Sequence, residues 1–280
     1  MTAAGVSSTG GPSRGDDEVS RLWRVAEEAS ARGAAIVFAA GSRGAPGRAA
    51  ESKGVGDWVT DADRASEAAI RSYLAAATPD VPVLGEEEGG ERGERFWAVD
   101  PLDGTTNFMI GFPIVAVSVG LVEHGRPLVG SVRAPLLGLA FGAARGRGAW
   151  AGGERLAVSA RPAERAIVAT GFPFRRRELR PRHADAFERV LQGVEDVRRA
   201  GAAALDLAWV ASGVFDAYFE LAMSIWDLAA GALLVEEAGG TVSGWNGEDD
   251  HLVTGDVVAG SPSTYPVVLG ATRATGATRA

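Results

Sequence analysis

The sequence predicts a mixed α and β protein, built as two interlocked lobes with a cleft where they meet. Three observations carry that expectation. Apolar residues recur at helical spacing over the first ordered stretch, and short strand-like runs separated by turn signals follow as a largely antiparallel meander. After about residue 160, strand-like and helical stretches alternate. At 280 residues, 46% of them hydrophobic, the chain can bury a substantial core as one large domain or two moderate ones.

Residues 1–17 are small, polar and glycine-rich, and read as a disordered tail. From Glu18 to about Ala40, the positions Leu22, Val25, Ala26, Ala29 and Ile36 form one amphipathic helix or two, and a Gly/Ser/Arg/Pro loop follows. The stretch DWVTDADRASEAAIRSYLAAA reads as a short extended entry and a second helix, with Ala69, Ile70, Tyr73 and Leu74 on its inner side and TPDVP ending it. Strands are expected over 83–85, 96–99, 114–123, 128–133 and 139–143, with HGRP and PLLG as turns between the later ones. Further on, AIVATG, DVRRAG and VFDAYFE read as strands, alternating with helices over 182–193, 202–212 and 226–238. The expected organisation is a tail over 1–17, an N-terminal α+β lobe over 18–160, a C-terminal α/β lobe over 161–272 and a small, polar tail over 273–280.

Composition excludes several chemistries. There is no cysteine, hence no disulfide, thiolate nucleophile or zinc–thiolate site, and His124, His183 and His251 lack ligand spacing. Any metal must be held mainly by oxygen. A net charge of -8 argues against nucleic acid or an anionic membrane as partner, and an anionic substrate would need local positive charge. No apolar run reaches the roughly 18 residues of a membrane span, and MTAAGVSSTG lacks the basic start and apolar centre of a secretory signal, so the expected location is the cytoplasm.

The most informative segment is WAVDPLDGTTNF, residues 97–108. An apolar run enters Asp100 and Asp103, with Pro101 between them and Gly104 after them. Proline biases Asp100 to an extended conformation and glycine permits a sharp change of direction, so the chain is expected to leave a strand and turn at once. In such a turn both carboxylates point into one small volume, where like charges repel unless a cation sits between them. Mg²⁺ suits such oxygen donors. If Gly104-Thr105-Thr106 opens a helical turn, its free N–H groups form an anion site beside the metal. The alternative is that the aspartates are ordinary turn residues and Thr105 a helix cap. Glu86, Glu87 and Glu88 follow a short buried strand in VLGEEEGG, and Asp227 opens an otherwise apolar helix in SIWDLAAGALLVEEAGG; singly, these fit a solvated loop and a cap.

Together, WAVDPLDGTTNF and WDLAAGALLVEEAGG, with KGVGDWVTDAD and GEE in the expected order, resemble the inositol monophosphatase family of Mg²⁺-dependent sugar and polyol phosphatases, from about residue 20 to 270. TGFPFRRR and VRRAGAAALDLAWVASGVFDAYFE are similar to its bacterial inositol-1-monophosphatase branch. The resemblance implies a layered αβαβα sandwich (sugar phosphatase fold), usually a homodimer, acting on a small phosphate ester such as myo-inositol 1-phosphate through metal-activated water. It further implies that Glu86, Asp100 and the Leu102 carbonyl hold one Mg²⁺, that Asp100, Asp103 and Asp227 hold a second, and that a third lies near Glu86. Four carboxylates carry about -4, so three ions leave about +2 for a phosphate dianion.

By the same resemblance Thr105 orients the attacking water with Asp63 behind it, and Lys53 approaches the waters of the metal site. Gly104 and Thr105 meet the phosphate, and Asp103, Asp227, Glu220 and the backbone of Gly201 and Ala203 face the substrate. Ala202 stands where relatives often carry serine or threonine. Lithium sensitivity is implied too. Histidinol phosphate remains an alternative substrate, because pocket walls and not metal ligands separate it from inositol phosphate; fructose 1,6-bisphosphate and 3'-phosphoadenosine 5'-phosphate are further rivals. A binding or regulatory accessory role is the alternative of a different class.

Overall fold

A computed structural model describes residues 17–42, 50–54 and 57–275. Residues 1–16 of the tail expected over 1–17, the loop over 43–49 and residues 276–280 lie outside them, whereas Asp17 belongs to the first helix as its cap. The first helical stretch is one element, α1 (Glu18–Gly41), capped by Asp17, which accepts the Ser20 N–H at 2.8 Å. Strands β1 (Ala50–Gly54) and β2 (Asp57–Thr60) form an antiparallel pair, and α2 (Asp61–Ala77) starts on a Thr60–Asp63 capping box.

A seven-stranded sheet follows in sequence order: β3 (Val83–Gly85), β4 (Arg95–Asp103), then across helix α3 (Thr105–Ile110) to β5 (Ala116–Glu123), β6 (Arg126–Ala134), β7 (Leu139–Ala144), β8 (Gly148–Ala151) and β9 (Glu154–Arg155). Only β3 and β4 are parallel, so the expected meander is present. Strands β8 and β9 are too short for an alternation signal.

The second half alternates β10 (Ile167–Thr170), α4 (Arg180–Leu191), β11 (Asp196–Arg198), α5 (Ala203–Ala211), β12 (Ala217–Glu220) and α6 (Ile225–Glu237). It continues with β13 (Thr241–Ser243), α7 (His251–Thr254), β14 (Val257–Gly260) and α8 (Tyr265–Ala274). The sheet order is β11-β10-β12-β14-β13, parallel over the first three strands and antiparallel thereafter. Helix α8 carries the chain past Thr272, where a polar tail was expected, because Val268, Leu269 and Ala271 pack against β12 and β14.

The layers are α1 and α2, the seven-stranded sheet, α5 and α6, the five-stranded sheet, and α4 with α8: the αβαβα sandwich. Alternation along the strands supplies both faces. Trp97, Val99 and Val117 face α1 and α2, whereas Phe96, Ala98 and Ala116 face the middle layer. Helices α5 and α6 are apolar nearly all round because they are covered on both sides. The small residues of α6 serve close approach: a Cβ at Gly130 would stand 2.8 Å from Ala230 Cα, and one at Gly231 would stand 2.7 Å from Leu207 Cβ. Among the described residues, no helix is long and apolar enough to cross a membrane.

In the outer core His183 is 1% exposed, stacked on Phe219 at 5.5 Å, with Nε2 3.0 Å from Thr170 Oγ1. Burial pushes its pKa down to about 4, against a Gly171 backbone hydrogen bond that raises it. The unfolded chain takes up this proton near the ordinary 6.5 and the folded one only near 4. Stability from this group is therefore complete above about 6.5 and falls as pH drops towards 4, by at most about 1.4 kcal/mol per pH unit. Denaturation of wild type and His183→Gln from pH 7 to 4.5 should show the variant losing that slope; equal slopes would contradict it.

Candidate active site

One cavity of about 180 Å³ opens between the two sheets, and Glu86, Asp100, Leu102, Asp103, Gly104, Thr105, Gly201, Glu220 and Asp227 all line it. Asp100 and Asp103 reach it by a route that differs from the expected turn. Strand β4 continues to Asp103, and the reversal waits for Gly104, at φ 90°. In a regular strand, residues three apart face opposite sides. Here Asp100 pairs with Ser118 and Asp103 with Ala116, so Pro101 and Leu102 stand opposite Val117 alone. This bulge adds one residue, restores the parity and turns both carboxylates to the same face. Pro101, which has no N–H to give a ladder, is tolerated at such a site.

The other groups come from separate elements. Glu86 follows β3, its N–H on Val99 O at 3.2 Å. Asp227 sits in the first turn of α6, where Oδ2 accepts the Ser224 N–H at 2.8 Å. Asp103 Oδ2 accepts the Ala204 N–H at 2.8 Å, and the Ala203 N–H also bonds to Asp103. Ala202, at the start of α5, has no side-chain oxygen to cap these amides, so a carboxylate from the first sheet does so. Ala203 is not among the residues that line the cavity, and its N–H is taken by Asp103. Gly201, at φ 89°, does line the wall.

Thr105 is the first residue of α3 and not its cap, a position held by Gly104. Its Oγ1 donates to buried Asp63 Oδ1 at 3.1 Å, with Leu102 O at 3.2 Å as a second acceptor. Asp63 Oδ2 meanwhile accepts the Thr60 N–H at 2.9 Å. Lys53 Nζ lies outside the cavity wall, 2.8 Å from Glu87 and 3.5 Å from Glu86.

Burial, then the charge of Asp227, pushes Glu86 up to about 7, and burial pushes Glu220 up to about 7 as well. Asp100 is raised by burial and then by Glu86 and Asp103, Asp103 by burial and then by Asp227, and Asp227 by burial. Among the described residues, no three acidic or histidine side chains stand in ready-made metal-ligand geometry. Drawing carboxylate oxygens to one point costs Coulomb repulsion that a bound cation offsets. The donor set, carboxylates with Leu102 beside them and neither thiolate nor imidazole, fits a hard divalent cation of the Mg²⁺ type.

Several lining groups were not anticipated. Arg175, Arg176 and Arg199 edge the cavity with Phe172 and Phe174, and the Arg199 guanidinium lies 5.6 Å from the Phe174 ring centroid. They supply the positive charge that an acidic chain needs for an anion; three successive arginines in TGFPFRRR were the available signal. Asn107 Nδ2 donates to Ile114 O at 2.8 Å and Ala200 O at 2.9 Å, tying α3 to the loop carrying Gly201. The Tyr218 hydroxyl donates to Glu220.

The family model described as the inositol monophosphatase family matches residues 18–276. A Pseudomonas aeruginosa protein named Nus factor SuhB is 44% identical over 221 residues, 76% of this chain and 82% of that protein. Among solved structures, the extragenic suppressor protein suhB from Bartonella henselae aligns with a TM-score of 0.83 at 34% identity, covering 89% of this chain and 97% of that one. The inositol monophosphatase from Anabaena (Nostoc) sp. PCC 7120 aligns with a TM-score of 0.82 at 33% identity, covering 91% and 96%.

Proposed function

Because the chain belongs to the inositol monophosphatase family, we propose that it is a Mg²⁺-dependent phosphomonoesterase that hydrolyses myo-inositol 1-phosphate or a related polyol or sugar phosphate. The observation that carries this proposal is the cavity itself. Glu86, Asp100, Asp103 and Asp227 share it, and the Thr105–Asp63 pair stands at its edge.

Glu86, Asp100, Asp103, Asp227 and the Leu102 carbonyl would hold two or three Mg²⁺. Bound there, Mg²⁺ supplies Lewis acidity toward the phosphoryl oxygens and acidifies water. Thr105, by donating its hydroxyl to Asp63, keeps an Oγ1 lone pair directed at the cavity, where it accepts an O–H of the attacking water and fixes its orientation. Gly104 and Thr105 begin the turn whose N–H groups meet phosphate oxygens. Arg175 and Arg199 draw the anion in, while Glu220, held by Tyr218, Gly201, and the outer oxygens of Asp103 and Asp227 meet substrate hydroxyls. Lys53, beside Glu86 and Glu87, tempers their charge.

The test is a screen of purified chain against myo-inositol 1-phosphate, histidinol phosphate, fructose 1,6-bisphosphate and 3'-phosphoadenosine 5'-phosphate. Phosphate release is expected from the first, abolished by chelation and restored by Mg²⁺ better than by Ca²⁺. Lithium is expected to inhibit. Full activity after exhaustive chelation would refute the metal reading, and preference for histidinol phosphate would replace the substrate. A cytoplasmic homodimer is the expected form, checked by sedimentation.

A second reading, an accessory role in regulation, draws on the name Nus factor SuhB carried by the Pseudomonas aeruginosa relative. Catalysis is favoured because a scaffold has no need for clustered carboxylates, which destabilise a fold when uncompensated.

A further inference from the structure

Helix α2 carries a buried stripe that is polar at three positions. Asp63, Ser66 and Glu67 are buried beside Ile70 and Leu74, all on one helical face. Beyond the contact of Asp63 with Thr105, Ser66 Oγ donates at 2.8 Å to Pro101 O, the carbonyl inside the bulge between Asp100 and Leu102. Glu67 is fully buried and accepts the N–H groups of Glu87 at 2.8 Å and Glu88 at 3.0 Å, the two residues after Glu86. Arg71 Nε donates to the same carboxylate at 2.7 Å. The Arg71 guanidinium also donates to Val83 O at 3.1 Å and to Gly89 O, gripping both ends of the loop, and the Gly85 N–H closes it on Gly89 O at 2.9 Å.

A buried carboxylate is strongly unfavourable unless its oxygens are paired and hydrogen-bonded. Among the described residues, every donor that satisfies Glu67 belongs to the loop presenting Glu86 or to the arginine that holds that loop. A Cβ at Gly85 would stand 2.4 Å from Glu67 Oε1, so the missing side chain is what lets the carboxylate reach the loop amides. An apolar residue at this position would fill the space and leave two amides without a partner.

We propose that Glu67, gripped by Arg71, is a positioning residue that sets the main chain of Glu86, and that α2 thereby fixes Glu86 relative to the bulge bearing Asp100 and Asp103. This rests on the metal-site reading above. Glu67 acts at a distance: it touches neither substrate nor metal, and its effect is on how well the carboxylates are preset for the ion.

The experiment titrates Mg²⁺ against the thermal midpoint of the full chain without substrate, for wild type, Glu67→Gln, Arg71→Gln and the control Leu74→Ala. Leu74→Ala opens a cavity beneath the same helix and removes none of the side-chain hydrogen bonds that Glu67 and Arg71 make to the loop. Half-saturation should require about 10-fold more Mg²⁺, or beyond, in Glu67→Gln and Arg71→Gln, the range typical when the partners behind a metal ligand are removed. It should be unchanged in Leu74→Ala, although that variant melts earlier without metal. In turnover, the two loop variants should need more Mg²⁺ yet recover kcat to within a few-fold at saturation. Wild-type Mg²⁺ affinity in both loop variants would overturn the proposal, as would an equal loss in Leu74→Ala, which would reduce the effect to stability. A wild-type midpoint indifferent to Mg²⁺ would instead overturn the metal reading beneath it. Should Glu67→Gln not fold, Arg71→Gln, whose side chain is 20% exposed, carries the test.

Discussion

Asp103→Asn and Asp227→Asn should each lose nearly all turnover, by at least about 10²-fold in kcat, while remaining folded. That is the order seen when one preorganised electrostatic group is removed from an active site. Asparagine keeps the shape and one acceptor oxygen, so the bonds from Ala204 N–H and Ser224 N–H survive while the ligand charge is lost. Stability should move the opposite way. In both residues burial raises the carboxyl pKa above its ordinary value, and Asp227 raises Asp103 further. A group with a raised folded pKa contributes stability that is complete below the unfolded pKa and is lost as pH rises through the folded one. At pH 8 without metal the variants should therefore melt no earlier than wild type, and the difference should shrink as pH falls.

With Mg²⁺ the order should invert. Wild type gains about 2.7 kcal/mol at a hundredfold excess over Kd, and the variants gain little. Thermal scans at pH 8 and pH 5, with and without Mg²⁺, read both signs. Wild-type rates in both variants would show the metal site to be misplaced.

The second large effect concerns Thr105 and Asp63. Thr105→Ala should lower kcat by about 10²-fold, the lower end of general acid-base contributions. Because Gly104 and not Thr105 holds the cap position of α3, the loss of a helix cap cannot account for such a change. Asp63→Asn should lose as much for a different reason. An amide in place of Oδ1 donates to Thr105 Oγ1 instead of accepting from it, which reverses the bond and takes up an Oγ1 lone pair that the water's O–H needs. Thr105→Ser, which keeps the hydroxyl, should recover most of the rate. The double variant should be little worse than either single one, since residues acting as a unit are not additive. A cycle on kcat at saturating Mg²⁺ decides the matter: two small additive effects would leave the pair purely structural, with Asp63 serving only the capping box with Thr60.

Much of the site is legible in the amino-acid sequence. Singly, Asp100, Asp103, Glu86 and Asp227 fit a turn, a loop and a cap; it is the family motifs they stand in that pick them out together, and all four line one cavity. Ser66, Glu67 and Arg71 do not stand out. An apolar count of α2 picks Ala69, Ile70, Tyr73 and Leu74, of which only Ile70 and Leu74 are buried, and passes over Ser66 and Glu67, although their i+3 and i+4 spacing from Asp63 puts them on the buried side. Strands β13 and β14 escape a pattern reading because they are short and complete the second sheet from far along the chain.

Local features follow from the sequence alone: the helical period of α1, the meander of β4 to β7, the glycine that ends β4, and which residues have the chemistry to hold a hard cation. Whatever depends on a partner strand or a facing layer is settled only by the packed chain. Asp103 joins Asp100 on one face because β5 offers one residue where β4 spends two, and β4 alone does not contain that register. The amides of α5 are capped by a carboxylate about a hundred residues earlier, and α6 is apolar nearly all round because a sheet lies on each side of it. Backbone dihedrals and side-chain polarity belong to each residue, whereas register, burial and the shared field of several carboxylates exist only once distant segments are packed together.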